Sequence, residues 1–208
     1  IFGGDGDDGL GADEEARQYW VEVEGIKPEE VLEFGKKDNF WAMGETGACG
    51  PCSEILYDRG PGPWACGEAT CKPGCDCDRY MEIWNLVFMQ YVQDIPYHVI
   101  GDLPAKNIDT GSGLERVSVL LQGVDNVFET DLLRTVMAAA ENATNSRYGD
   151  HEGSDVSLRI MADHGRAIAH MISDGIVPAN DGRGYVLRRI LRRAARYGRQ
   201  LDLHEPFI

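Results

Sequence analysis

The sequence predicts an α+β protein, strand-rich in its first half and all-helical in its second. Three observations carry this. The run YMEIWNLVFMQYVQ (80–93) is long, apolar and rich in aromatic and β-branched residues. It reads as a buried central strand, with a helix as the alternative. NIDTGSG (107–113) reads as a strand ending in a glycine turn. Three later stretches, 129–145, 155–174 and 183–199, carry helical patterning instead.

Taken in order, residues 1–12 are rich in Gly and Asp and read as a loop. The loop faintly resembles a calcium site, but Gly9 and Leu10 stand where an acid and a glycine are needed. Asp13 is a predicted N-cap, with Glu14 and Glu15 in the first turn of a helix reaching about Glu24. Pro28 opens a short second helix in PEEVLEFG. SEILYDRG has strand character, and 60–79 form a compact Gly-, Pro- and Cys-rich loop. A hairpin partner for 80–93 is expected at 94–100. LERVSVLLQG should be a helix closing at Gly123. NDGRGY (180–185) is a predicted turn, followed by an Arg-rich helix ending near Gly198. The expected domain division is 1–150 and 151–208. No internal repeat is evident.

The bulk numbers narrow the function. The 208 residues suffice for one large or two small domains with a real core. No apolar run of about 18 residues suggests a membrane span. No signal peptide is visible, so a cytoplasmic location and no membrane partner are expected. A start at Ile suggests part of a longer protein. Net charge is −15, which argues against nucleic acid, but its distribution is uneven. Residues 183–199 hold seven Arg and no acid; setting these aside leaves 13 basic against 35 acidic residues, a balance of −22. A basic helix on an acidic body reads as a local patch for an anionic partner, or as a solvated face pairing with that body.

NIDTGSGLERV (107–117) carries the candidate nucleotide chemistry. A glycine turn ahead of a helix can cradle phosphate. It fits no common template: Arg116 stands where the dinucleotide fingerprint needs a third glycine, and the P-loop Gly-Lys-Ser/Thr is missing.

DNFWAMGETGACGPCSEILYDRG, EIWNLVFMQY, IDTGSGLERV and NDGRGYVLRRILRRAARYG, in this order, resemble the catalytic and early tRNA-binding regions of the alanyl-tRNA synthetase family. The resemblance runs from about 11 to 201 and is specific, because four long motifs agree. It implies part of a class II synthetase antiparallel sheet with flanking helices, followed by an all-helical segment. IDTGSGLERV resembles the third class II motif. The first two motifs lie before the start of this chain, so the chain alone is expected to be nearly inactive. The family's editing and C-terminal domains are also outside it.

The implied reaction is activation of L-alanine with ATP and Mg²⁺, then transfer to tRNA(Ala). It needs positioning and charge stabilisation more than covalent help. By resemblance, Asp109 anchors the substrate ammonium; alternatively it caps its own turn. Trp41 forms the wall beside the alanine methyl, or is a core Trp. Asn85 hydrogen-bonds the amino acid, or is satisfied by neighbouring backbone. Gly111 and Gly113 let the backbone approach adenosine, and Arg116 contacts phosphate or stacks on adenine. Glu115 organises Arg116 or Mg²⁺, or is a surface residue at the helix start. Glu54 and Glu82 are further candidates for ordering the site.

All six Cys lie between 49 and 77. Cys49 and Cys52 look structural. Cys66, Cys71, Cys75 and Cys77 lie in an insert found in only some family members, and four such thiolates can wrap one tetrahedral Zn²⁺. Free thiols, or a mixed site using Cys49 or Cys52, are the alternatives. His164 and His170 face different sides of a helix and make no ligand pair.

In the Arg-rich helix, Leu187, Ile190, Leu191 and Ala194 form an apolar stripe, and Arg188, Arg192, Arg196 and Arg199 line another face. The resemblance implies contact with the tRNA acceptor stem, mostly at phosphates. Asn180, Arg183, Arg188, Arg192 and Arg193 are the candidate contacts. Asn180 and either Arg192 or Arg193 match the family positions that help read a G·U wobble pair. Gly182 departs from the family's common Asn. Two rival readings are a non-catalytic synthetase-like protein and a zinc-stapled interaction module.

Overall fold

The computed structural model describes residues 1–6 and 9–207. Asp7 and Asp8 of the calcium-like stretch lie outside the described residues. The chain divides into two compact units, 1–117 and 118–208.

The first unit is built on a four-stranded antiparallel sheet. Its strands are β1 (Phe40–Ala42), β2 (Gly47–Asp58), β3 (Tyr80–Ile95) and β4 (His98–Ser112), in spatial order β1-β2-β3-β4. β3 is therefore an inner strand as expected, though only Val87 and Gln93 along it are fully buried. Its hairpin partner is much longer than 94–100 and merges with the IDTGS stretch into one strand. Asp102, Pro104 and Lys106 are poor strand formers, yet β4 holds them. It is an edge strand, so Pro104 need not donate to a second neighbour, and pairing with β3 imposes the extended backbone.

α1 (Glu14–Gln18) begins at Asp13, whose carboxylate accepts from Ala16 N at 3.0 Å, and continues as a wider turn over Tyr19–Val23. The expected helix thus spans the right residues but changes pitch. Pro28–Glu30 form a single 3₁₀ turn, and α2 (Lys36–Asn39) leads into β1. Trp20 donates its indole N–H to Ser53 Oγ on β2 at 3.2 Å, and Trp20, Ile1, Ala16, Val31 and Phe88 pack together. Phe2, Phe40 and Cys49 form a second cluster. β2 and β3 approach unusually closely at Gly50, where an added Cβ would lie 2.0 Å from Phe88 O.

Buried Gln93 ties two turns together. Its amide donates to the carbonyls of Gly44 (2.8 Å) and Glu45 (3.2 Å) and accepts from Tyr97 N (3.1 Å).

α3 (Leu114–Gln122) follows the glycine turn and closes at Gly123 with φ of 65°, as expected. In the second unit, α4 (Asp131–Thr144) ends on left-handed Asn145 and α5 (Glu152–Ser173) packs against it through Met137, Ala140, Leu158, Met161 and Ala162. α6 (Gly182–Gln200) starts earlier than expected, because Gly182–Tyr185 already form its first turn. Leu187, Ile190, Leu191 and Ala194 seal α6 against Ile168 and Met171 of α5. No described helix is long and apolar enough to cross a membrane.

Candidate active-site face and thiolate cluster

Register decides which side chains share a face, since directly paired residues point the same way and alternate residues repeat it. Glu54 on β2 pairs with Asn85 on β3, which pairs with Gly111 on β4. One step along, Cys52 pairs with Val87 and Val87 with Asp109. Cys52, Glu54, Asn85, Val87, Asp109 and Gly111 therefore lie on one face. The opposite face carries Ser53, Leu86 and Phe88, under the Trp20 side of α1. Sequence separations of up to 59 positions collapse here into two adjacent rungs.

Asn85 is half-buried, and its Oδ1 is buried without a hydrogen-bond donor. Asp109 is exposed, and its Oδ1 accepts from Thr110 N at 2.9 Å. Asp109 sits within β4, so this contact to the next residue is local to the strand and caps no turn, and it leaves the second oxygen open. Gly111 faces open space, with nothing within 4 Å of an added Cβ. Gly113 lets the Arg116 side chain fold back, since an added Cβ would meet Arg116 Cδ at 3.3 Å. Trp41 lies on β1 opposite Gly50 and is half-buried.

Arg116 Nη1 donates to both the backbone carbonyl and the carboxylate of Glu82, each at 2.9 Å. Glu82 is thus a direct partner of Arg116. Burial pushes the Glu54 carboxyl above its usual range, with the Glu82 carboxylate adding and Arg116 opposing. Cys52 is buried and its thiol is pushed up to about 11, mainly by desolvation, with Glu54 adding and the Asn39 and Asn85 amides opposing. Such a thiol is protonated at neutral pH and is a poor nucleophile there.

The second feature sits at the tip of the β2–β3 hairpin. The sulfurs of Cys66, Cys71, Cys75 and Cys77 all lie within 4.8 Å of one another. Cys66 and Cys75 are 3.5 Å apart, and Cys71 and Cys77 are 3.7 Å apart. Tetrahedral zinc with Zn–S of about 2.3 Å requires sulfurs about 3.8 Å apart, so the donor set and its spacing fit such an ion. Neither Cys49 nor Cys52 joins the group.

The insert is fastened to the sheet. Arg79 forms a bidentate pair with Asp58 at 2.7 and 2.8 Å, Arg59 stacks 4.0 Å over Trp64, and Tyr80 OH donates to Cys71 O at 3.4 Å. Backbone N–H groups of Arg79 and Cys66 lower the Cys77 thiol to about 7, whereas the Cys66 sulfur pushes Cys75 up to about 12 and burial raises Cys71, so the spacing of the four sulfurs, not their acidity, is what marks the site.

On α6, Arg183, Arg188, Arg192 and Arg193 are all exposed. Arg188 donates to Asn180 Oδ1, so two of the candidate contacts hold each other. Arg193 lies over the Tyr197 ring at 6.0 Å. Gly182 has φ of 53°, a conformation Asn also tolerates, so its departure from the family Asn preserves the turn's backbone. Gly184 is required by packing, because a Cβ there would lie 2.4 Å from Val177 O. Sequence reasoning missed Gly50, Gly184 and Gln93; a lone glycine or glutamine carries no sign of its long-range neighbour.

Residues 7–208 match the family of tRNA synthetases class II (A). The alanine–tRNA ligase of Desulfosudis oleivorans (strain DSM 6200 / JCM 39069 / Hxd3) is 50% identical over 196 residues, 94% of this chain and 22% of that protein. Those of Thermoanaerobacter sp. (strain X514) and Thermoanaerobacter pseudethanolicus (strain ATCC 33223 / 39E) are 50% identical over 198 residues, with the same coverage. The chain thus spans about a fifth of the length of these relatives. With its antiparallel sheet, its glycine turn feeding a helix and this match over nearly every residue, the chain belongs to the class II tRNA synthetases.

Proposed function

We propose that the protein carrying this chain is an alanine–tRNA ligase. Its first step joins the carboxylate of L-alanine to the α-phosphorus of ATP and expels pyrophosphate. In the second, a hydroxyl at the tRNA(Ala) 3′ end attacks the alanyl carbonyl and AMP leaves. The observation that carries this reading is the shared face of Asn85, Asp109 and Gly111, with Arg116 held beside it.

In this reading Asp109 receives the alanine ammonium, Asn85 orients the amino acid, and Trp41 limits the space for its side chain. Gly111 and Gly113 present bare backbone to ATP, and Arg116 meets its phosphates or adenine. Mg²⁺, when bound with ATP, supplies positive charge to the developing pyrophosphate, with Glu115 among the groups ordering it. Residues 1–150 belong to the aminoacylation domain, and 151–208 open the tRNA-recognition part. There Asn180, Arg183, Arg188, Arg192 and Arg193 contact the acceptor stem. Zn²⁺ on Cys66, Cys71, Cys75 and Cys77 staples the insert and has no part in the chemistry. The cytoplasm is the expected compartment.

The test is alanine-dependent ATP–pyrophosphate exchange by the full-length protein, with an Asp109→Ala variant alongside. Exchange with alanine that the variant loses is the expected result. Exchange that survives the variant would move the ammonium anchor elsewhere, and none with any amino acid would rule out the ligase.

A further inference from the structure

The Asn85 rung contains more acceptors than donors. Asn85 Oδ1 is buried and receives no hydrogen bond. Its register partner Glu54 is half-buried, and among the described residues no hydrogen bond or ion pair reaches its carboxylate. Asp109, one rung along on the far side of β3, commits one oxygen to Thr110 N and keeps the other open. A buried acceptor without a donor costs stability unless a ligand supplies one. A carboxylate in a desolvated position likewise calls for a cation. Three adjacent strands thus each turn one polar group with at least one open oxygen to the same face. A primary ammonium carries three N–H donors, one for each of the three groups, and a positive charge opposite in sign to their carboxylates.

We infer that Glu54 is a substrate-binding residue, completing with Asn85 Oδ1 and Asp109 a three-acceptor seat for the α-ammonium of the amino acid. This rests on the proposed ligase reading and adds Glu54 to it. The alternative cation is Mg²⁺, for which Glu54 and Glu82 would be ligands. The ammonium is favoured because Glu82 is already engaged by Arg116, while the open partner of Glu54 is a single amide oxygen. Magnesium prefers octahedral oxygen coordination built from carboxylates, phosphates and water.

The test uses the full-length protein as wild type, Glu54→Gln and Glu54→Asp, in amino-acid-dependent ATP–pyrophosphate exchange, with a thermal melt of each. Losing a charge-assisted contact should raise the alanine KM of Glu54→Gln about 10- to 100-fold. Its ATP KM and half-saturating Mg²⁺ should stay within about twofold, and Glu54→Asp, which keeps the charge, should lose less. An unchanged alanine KM overturns the inference, as does a loss that appears in the Mg²⁺ or ATP dependence instead. Should Glu54→Gln fail to fold, the KM of Glu54→Asp decides: a rise supports the seat and no change refutes it. If the wild type exchanges with a different amino acid, the alanine reading falls, and the same comparison with that amino acid still decides the role of Glu54.

Discussion

Arg116 of α3 is clasped by Glu82 of β3, its Nη1 donating to the backbone carbonyl and the carboxylate at 2.9 Å each. The pair joins two elements that the sequence separates by 34 positions and fixes where the guanidinium sits. Both side chains are partly exposed, so the contact contributes little to global stability, about 1 kcal/mol at most. Its value is in positioning. Glu82→Gln keeps the backbone acceptor and removes the charge. It should raise the ATP KM in pyrophosphate exchange about three- to tenfold, with a nearly unchanged melting temperature. An unaltered ATP KM would show that Arg116 needs no such support.

The glycines separate into two kinds, and alanine substitution should tell them apart. At Gly50 an added Cβ meets Phe88 O at 2.0 Å, so Gly50→Ala must push β2 from β3. A loss of about 1–3 kcal/mol in urea unfolding is expected. At Gly111 nothing lies within 4 Å. Gly111→Ala should leave stability within about 0.5 kcal/mol while weakening ATP binding, because in the proposed reading its methyl enters the space ATP takes. Equal stability losses at both positions would refute this division.

The four clustered thiols should bind a single metal ion per chain. Metal analysis of the purified protein is expected to find zinc, and Cys71→Ser should lose it. Cobalt substituted into the wild type should give the absorption of a tetrahedral thiolate site. Removal by a chelator should loosen the hairpin tip, read as faster amide exchange at Asp58 and Tyr80. Metal retained by Cys71→Ser would sink the four-sulfur site.

Glu54 gives a pH signature. Its carboxyl pKa is raised in the folded chain, chiefly by burial and then by Glu82, with Asp38 adding and Arg116 opposing. The folded state therefore holds this proton more tightly than the unfolded one. Below the unfolded pKa the group has no effect. As pH rises through the folded pKa, its ionisation subtracts stability. Glu54→Gln should thus melt higher than wild type at pH 7, and the gain should vanish near pH 4. A destabilised variant at pH 7 would mean that the carboxylate is paired.

Single alanine substitutions at Arg192 and Arg193 should weaken binding of the tRNA acceptor stem and reduce its salt dependence by about 0.7–0.9 in slope per lost phosphate contact. Alanine-dependent pyrophosphate exchange should not change. Arg188→Ala should cost more, since it also frees Asn180. A loss of exchange in Arg192→Ala would contradict the assignment of α6 to tRNA alone.

By itself the sequence determined the order and type of the main elements: the 80–93 strand, a strand leading into the LERV helix, the end of that helix at Gly123 and the apolar stripe of α6; the turn expected at the IDTGSG glycines is strand through Ser112. These follow from local periodicity, caps and glycine chemistry, which act over a few residues. The four thiols were also legible, because their spacing within one short loop nearly enforces convergence. Only the tertiary structure decided the length of β4, the pairing of Glu54 with Asn85 and Gly111, and the choice of Glu82 as a partner for Arg116. Register sets all three, and register depends on pairing between distant strands. A one-residue slip would send Glu54 to the other face without altering a letter of the chain.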